Sequence, residues 1–265
     1  MCILSKLSLS AAIVAALLSA CGQRRAAVPQ ILKTAVSAPN FSDSDPHDWQ
    51  GSGPARYTVH GIDTSRWQGA VDWPTARANG VNFAYLKATE GGDRLDPEFA
   101  GNWRAAGQAG LPRGAYHYFY FCTPATEQAR WFIRNVPRTT GALPAVLDME
   151  WTPLSPTCTR RPPADTVRAE AAVFLALLEA HYGQRPLLYT SIDFFKANQL
   201  GELAGTEFWL RSVASHPSQA FPGQGWTFWQ YSGTGLVPGV SGRTDLNVFA
   251  GSATNWAKWL SVRSQ

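Results

Sequence analysis

The 265-residue sequence predicts an α/β barrel, and three observations carry that expectation. Short apolar runs alternate with longer helical patterns. The runs show too little polar alternation for a sheet wetted on one face, so they read as parallel strands buried on both sides. After the fifth helical stretch, three more strand-like runs follow with only turns and glycines between them. Five βα units and three closely spaced strands make an eight-stranded barrel that lacks helices near its end. An open α/β sheet is the alternative architecture.

Each element has a local reason. Strands are expected over Tyr57–Ile62, Asn82–Lys87, Gly114–Tyr118, Pro144–Leu147 and Pro186–Tyr189. Asp72 and Pro74 open a short first helix that Gly80 stops. Asp96-Pro97-Glu98 opens the second, with Asp96 as N-cap and Pro97 at the first helical position, and Gly110 closes it. Thr123-Pro124 starts a third, which Pro137 ends. The longest, Ala164–His181, sets Val167, Ala171, Phe174, Leu175 and Leu178 at helical spacing before Gly183, and Ser191 caps a fifth. The closing strands are expected at Glu207–Arg211, Trp226–Tyr231 and Asp245–Phe249.

The first 55 residues stand apart from this pattern. Lys6 precedes an apolar stretch, Leu7 to Leu18, too short to span a bilayer but suited to the core of a signal peptide. It runs into Leu18-Ser19-Ala20-Cys21, which resembles a bacterial lipobox. Residues 1–20 are therefore expected to be a lipoprotein signal peptide and Cys21 the lipidated first residue; an ordinary signal peptide is the alternative. Gly22 rather than Asp follows, so the expected location is the cell envelope, anchored in the outer membrane and facing the periplasm. Residues 21–55, rich in Ala, Pro, Ser, Asp and Gly, read as a flexible tether, and residues 56–265 as a single domain acting as a monomer.

Composition narrows the partners. The net charge of +4 is spread without a run of Lys or Arg, which argues against nucleic acid and suits an anionic polymer such as bacterial cell wall. Eleven tryptophans could face sugar rings, although most tryptophans pack in cores. With Cys2 in the signal and Cys21 lipidated, Cys122 and Cys158 remain, and in an exported protein two cysteines read as one disulfide. Neither C-x-x-C nor a His-rich spacing accompanies them, so no metal or cofactor is expected.

A barrel gathers the C-terminal ends of its strands on one face. Asp63 ends the first strand, Glu90 follows the second, Asp148 and Glu150 end the fourth in Ala145–Trp151, and Asp245 sits at the last. Side chains at i and i+2 of a strand point the same way, about 6.6–7 Å apart, so Asp148 and Glu150 share a site. Crowded carboxylates raise at least one pKa, and a protonated acid beside an ionised one is the equipment of glycoside hydrolysis. A lone D-x-E is more often structural, capping a helix or holding an arginine.

The flanking segments reverse that balance. Gly61-Ile62-Asp63-Thr64-Ser65-Arg66-Trp67-Gln68-Gly69 with Trp73 resembles the opening of family-25 glycoside hydrolases, the Chalaropsis-type lysozymes. The resemblance continues through Tyr85–Gly91, Asp96–Phe99, Ala109–Leu111, Gly114–Tyr118, Leu147–Glu150, Trp229–Ser232 and Asp245–Asn247, in order and in spacing. It implies a modified TIM-like barrel, (β/α)5(β)3, over residues 56–265, cutting the β-1,4 bond between N-acetylmuramic acid and N-acetylglucosamine in peptidoglycan. It implies Glu150 as general acid/base, Asp148 assisting the sugar's 2-acetamido group, and Asp63 and Asp245 as further active-site acids. Tyr118, Tyr189, Trp229 and Gln230 are expected to bind substrate, and His117, opposite in parity to Tyr118, to sit in the core. A bridge between Cys122 and Cys158 would stake down the Pro-rich Thr152–Asp165 loop beside the cleft. Arg211 stands where the family more often has a small residue.

Two rivals are weighed. A chitinase-like D-x-x-D-x-D-x-E run would need acids at Leu143 and Val146, and both are apolar. A catalytically silent peptidoglycan-binding lipoprotein on the same barrel is the alternative, and the presence of all four matching acids argues against such decay.

Overall fold

The computed structural model describes residues 35–264. The expected signal peptide, Cys21 with its expected lipidation, and the first part of the expected tether lie outside the described residues. Eight strands form the barrel: β1 His60–Thr64, β2 Ala84–Glu90, β3 Arg113–Tyr118, β4 Val146–Met149, β5 Leu187–Ser191, β6 Glu207–Arg211, β7 Phe228–Leu236 and β8 Thr244–Phe249. β1 and β4 run beyond the apolar stretches and carry Asp63 and Asp148 inside the ladder.

Neighbouring strands from β1 to β7 pair in parallel, and β8 closes the barrel by pairing antiparallel with both β7 and β1. The reversal follows from chain length. A parallel crossover needs about a dozen residues, and the short Val237–Arg243 link after β7 permits only a hairpin. Asp245 therefore reaches the cleft from the start of β8, not from the C-terminal end of a parallel strand as the sequence suggested, and lies in register with Asp63.

Helices α1 Trp73–Ala78, α2 Phe99–Gln108, α3 Ala125–Asn135, α4 Ala164–Tyr182 and α5 Ile192–Asn198 cover the parallel strands. Asp96 does not cap α2. Glu98 holds the N-cap position, while Asp96 accepts the backbone N–H groups of Arg66 (2.8 Å) and Glu98 (3.0 Å), tying down the loop after β1. Two α-helices have no counterpart in the sequence reading: one helical turn, α6 Pro217–Ala220, and α7 Ala253–Arg263. α7 seats Trp256 among Phe83, Phe228 and Phe249, plugging the barrel at the end away from the acids.

Alternation along the strands sorts two cores. Ile62, Leu86, Leu147, Leu188 and Leu210 face the helices, whereas Tyr85, Val146, Leu187, Tyr189, Trp209 and Phe228 fill the lumen. Gly114 makes room for that filling, because a Cβ there would stand 2.2 Å from the Tyr85 ring. His117 faces out, fully buried between Thr89 Oγ1 (2.7 Å) and Gln128 Oε1 (2.9 Å), and burial pushes its pKa down to about 4.

The tether expected over 21–55 is shortened from its C-terminal side. From residue 35 the chain lies on the barrel as a strap: Ser37 exchanges hydrogen bonds with the Asn82 side chain, and Ser42–Asp43 pairs antiparallel with Leu236 and Gly235 of β7. Trp49 meets the Trp229 ring edge-on at 5.1 Å. Composition suggested flexibility, but the aromatic contact and a spare strand edge provide what a low-complexity stretch lacks.

Candidate active site

The upper lumen turns polar one layer above its apolar filling. Asp63 follows Gly61, Lys87 follows Tyr85, Tyr118 follows Tyr116, Asp148 follows Val146, Arg211 follows Trp209 and Gln230 follows Phe228, each two residues on and so on the same face. These residues, with Glu150, Tyr189 and Asp245, line an open cleft of about 750 Å³. Its rim carries exposed Trp67, stacked by Arg66 at 4.6 Å, and the Thr152–Pro156 stretch with exposed Leu154. That stretch is held by a disulfide between Cys122 and Cys158.

Asp63 is the best-held acid. Its Oδ2 accepts from Asn247 Nδ2 (2.7 Å) and Gln230 Nε2 (3.0 Å). Each amide is itself oriented: Trp209 Nε1 donates to Asn247 Oδ1 (2.8 Å), and the Tyr189 hydroxyl donates to Gln230 Oε1 (2.9 Å). Burial raises the Asp63 pKa, opposed by hydrogen bonds from Asn247, Gln230 and Asp245. Asp245 is pushed well above the usual carboxylate range by burial and by the adjacent Asp63. The two amides donating to Asp63 Oδ2 favour its ionised form, and the adjacent Asp63 charge favours a protonated Asp245.

Asp148 and Glu150 form the second pair. Asp148 is buried, its Oδ1 has no hydrogen-bond partner, and its pKa is driven well up by desolvation and then by the Glu150 charge. Glu150 is also raised by burial, but the charges of Arg211 and Lys87 hold it back. Lys87 is fixed at the rim by Glu90 (2.7 Å) and lies 4.6 Å from the Tyr118 ring centre. A carboxyl whose pKa burial raises, beside a second buried carboxyl, can act as acid and then as base.

Of the expected substrate contacts, Tyr118, Tyr189 and Gln230 line the cleft. Trp229 does not. Gln230 faces the lumen, so Trp229 must face out; it is fully buried against Trp49, Tyr57 and His216, and its Nε1 donates to the Ser212 carbonyl (2.7 Å). Arg211, which the sequence placed at a substrate subsite, lines the cleft, whereas sequence reasoning did not single out Asn247, although its place follows from the parity of Asp245 on the same strand.

A (β/α) barrel whose strand ends gather four carboxyls in an open groove is the framework of a glycoside hydrolase. Comparison with known proteins is specific: the model of glycosyl hydrolases family 25 matches residues 62–240, and the chain belongs to that family. Lysozyme M1 of Streptomyces globisporus is 38% identical over 206 residues, covering 74% of this chain and 69% of the relative. A protein designated YegX in Escherichia coli K12 is 39% identical over 207 residues, covering 75% of this chain and 72% of the relative. A family 25 glycosyl hydrolase structure from Bacillus anthracis superposes with a TM-score of 0.72 at 33% identity, covering 82% of this chain and 98% of the other. A bacterial lysozyme from Streptomyces coelicolor gives 0.68 at 36% identity, over 77% and 97%.

Proposed function

We propose that the protein is a peptidoglycan muramidase in which Glu150 is the general acid/base and Asp148 serves the 2-acetamido group of the N-acetylmuramic acid. The observation that carries the residue roles is the unpartnered Oδ1 of buried Asp148 beside Glu150. A buried acceptor without a donor is costly, and an acetamido N–H supplies the missing donor. At rest the proton of the pair favours Asp148. An N–H donated to Asp148 stabilises its ionised form and moves that preference to Glu150. Substrate binding thus arms the acid.

The reaction then balances as follows. Glu150 protonates the glycosidic oxygen as the C1–O bond breaks, while the acetamido oxygen bonds to C1. Asp148 offsets the positive charge developing on the acetamido group. Glu150, now ionised, takes a proton from water, which attacks C1 and restores the acetamido group. The Asp63–Asp245 pair holds negative charge across the cleft, where an oxocarbenium-like centre forms.

The family match and the similarity to proteins named as lysozymes support the substrate class. The retained acids favour turnover over the silent binding protein. The disulfide supports export. Lipidation at Cys21, and with it outer-membrane placement, belongs to the proposal and is tested by fatty-acid labelling of the wild type against Cys21→Ala. Mass spectrometry of digested peptidoglycan tests the bond: muramic acid at the new reducing ends is expected, and N-acetylglucosamine there would refute it.

A further inference from the structure

The strap builds a second hollow of about 460 Å³ beside the catalytic cleft. Asp45, His47 and Asp48 form one wall; Tyr231 and Thr234 of β7 form another; Arg211 stands at the boundary. Arg211 lines both cavities. They meet a second time at Gly233, which lines the hollow and whose Cβ, were it not glycine, would lie 3.2 Å from Oδ1 of the cleft acid Asp245. The strap lies before residue 62, outside the stretch that matches the family.

The wall is already in place. Asp43 accepts from Thr234 Oγ1 and from the Asp45 backbone N–H (3.0 Å), and His47 packs on Trp49, which packs on Trp229. Asp43 is thereby used up in structure, but two charged groups are not. Among the described residues, the Arg211 guanidinium takes part in no hydrogen bond or ion pair and acts only at longer range on Glu150, Asp63 and Asp245. The Asp45 carboxylate, on the exposed strap, likewise has no side-chain partner. A half-buried guanidinium with its donors free is a carboxylate site, and a carboxylate a few residues across the same hollow suits an ammonium group.

With its lactyl carboxyls amide-linked to peptide, the glycan chain of peptidoglycan offers neither group. Both occur on the peptide branch amide-linked to the lactyl carbonyl of N-acetylmuramic acid, the sugar assigned to Glu150 and Asp148. We propose that the strap hollow is a subsite for this branch, with Arg211 binding a branch carboxylate and Asp45 facing a branch amine. This rests on the muramidase reading.

The test uses the full chain and a soluble glycan tetrasaccharide, either with its peptide branches or with each lactyl carboxyl capped as a simple amide so that no charge remains at the branch point. Wild type is expected to cleave the branched substrate with a kcat/KM about tenfold higher, the scale of one charge-assisted hydrogen-bond set, expressed in KM. Arg211→Ala also disturbs Glu150, so the ratio between the two substrates, not the absolute rate, is the readout; it should fall toward one. Asp45→Asn, outside the barrel, should lower the same ratio and serves if Arg211→Ala fails to fold. Equal cleavage of both substrates by wild type, or ratios unchanged in the variants, overturns the subsite while leaving the muramidase in place. Failure of wild type to cleave either substrate overturns both.

Discussion

Replacing Gln230 with leucine separates a positioning role from packing. Gln230 is almost fully buried, donates to Asp63 Oδ2 at 3.0 Å and accepts from the Tyr189 hydroxyl at 2.9 Å. Gln230→Leu removes a hydrogen bond to a charged acceptor, worth about 1.5–3 kcal/mol, and leaves the Tyr189 hydroxyl unpaired at about 1–3 kcal/mol. The added apolar contact offsets part of this, leaving a net loss of about 2–5 kcal/mol, which in a domain of this size lowers Tm by about 5–15 °C. The chemical consequence is more specific. Burial pushes the Asp63 pKa up and Gln230 is one of the groups opposing it, so the variant should protonate Asp63 at higher pH. The acid limb of kcat/KM against pH then moves upward. Trp229→Phe is the control: it lies one residue away, faces outward, and should lower Tm without moving the profile. Calorimetry and a pH–rate series on peptidoglycan read both effects. A Gln230→Leu protein that melts within about 2 °C of wild type with an unmoved acid limb would refute the account of how Asp63 is held.

The other expectations follow from the same pairs. Glu150→Gln should cost about 10²–10⁴-fold in rate with an unchanged melting curve, read as new reducing ends. Asp245 has a raised folded-state pKa, so the native protein binds the extra proton between the unfolded and folded values, and stability falls as pH rises through that window. Asp245→Asn, which can still donate to Asp63, should therefore melt higher than wild type near pH 7–8, with the gap closing toward pH 4; an equal gap at both pH values would contradict the proton placement. Cys122 and Cys158 are 36 residues apart in sequence, a loop whose closure is worth about 4 kcal/mol, so Cys122→Ser/Cys158→Ser should lower Tm by about 8–16 °C and speed proteolysis in the Thr152–Asp165 loop.

Much of this molecule was legible locally. Helix starts and stops are short-range events, so Asp72, Gly80, Gly183 and Pro137 bracket their helices as expected. Parity is equally local: it put His117 in the core and Asp148 with Glu150 on one face. Applied to Gln230, the same rule would have turned Trp229 away from the cleft. The last helix was less visible, because α7 has a weak amphipathic pattern and is defined by what Trp256 and Trp259 plug.

By itself, then, the sequence determined the order of strands and helices, the four acids and the family, since each rests on residue type and spacing along one chain. The tertiary structure alone decided which groups hold those acids. The reversal of β8 sets Asp245 against Asp63, and amides from β7 and β8 donate to Asp63 and favour its ionised form. It also decided that the strap residues Asp43 and Asp45 to Asp48 form a wall and that Arg211 stands between two cavities. Those outcomes depend on contacts spanning up to about 190 residues of chain, where pairing is set by barrel closure and burial and leaves no local pattern to read.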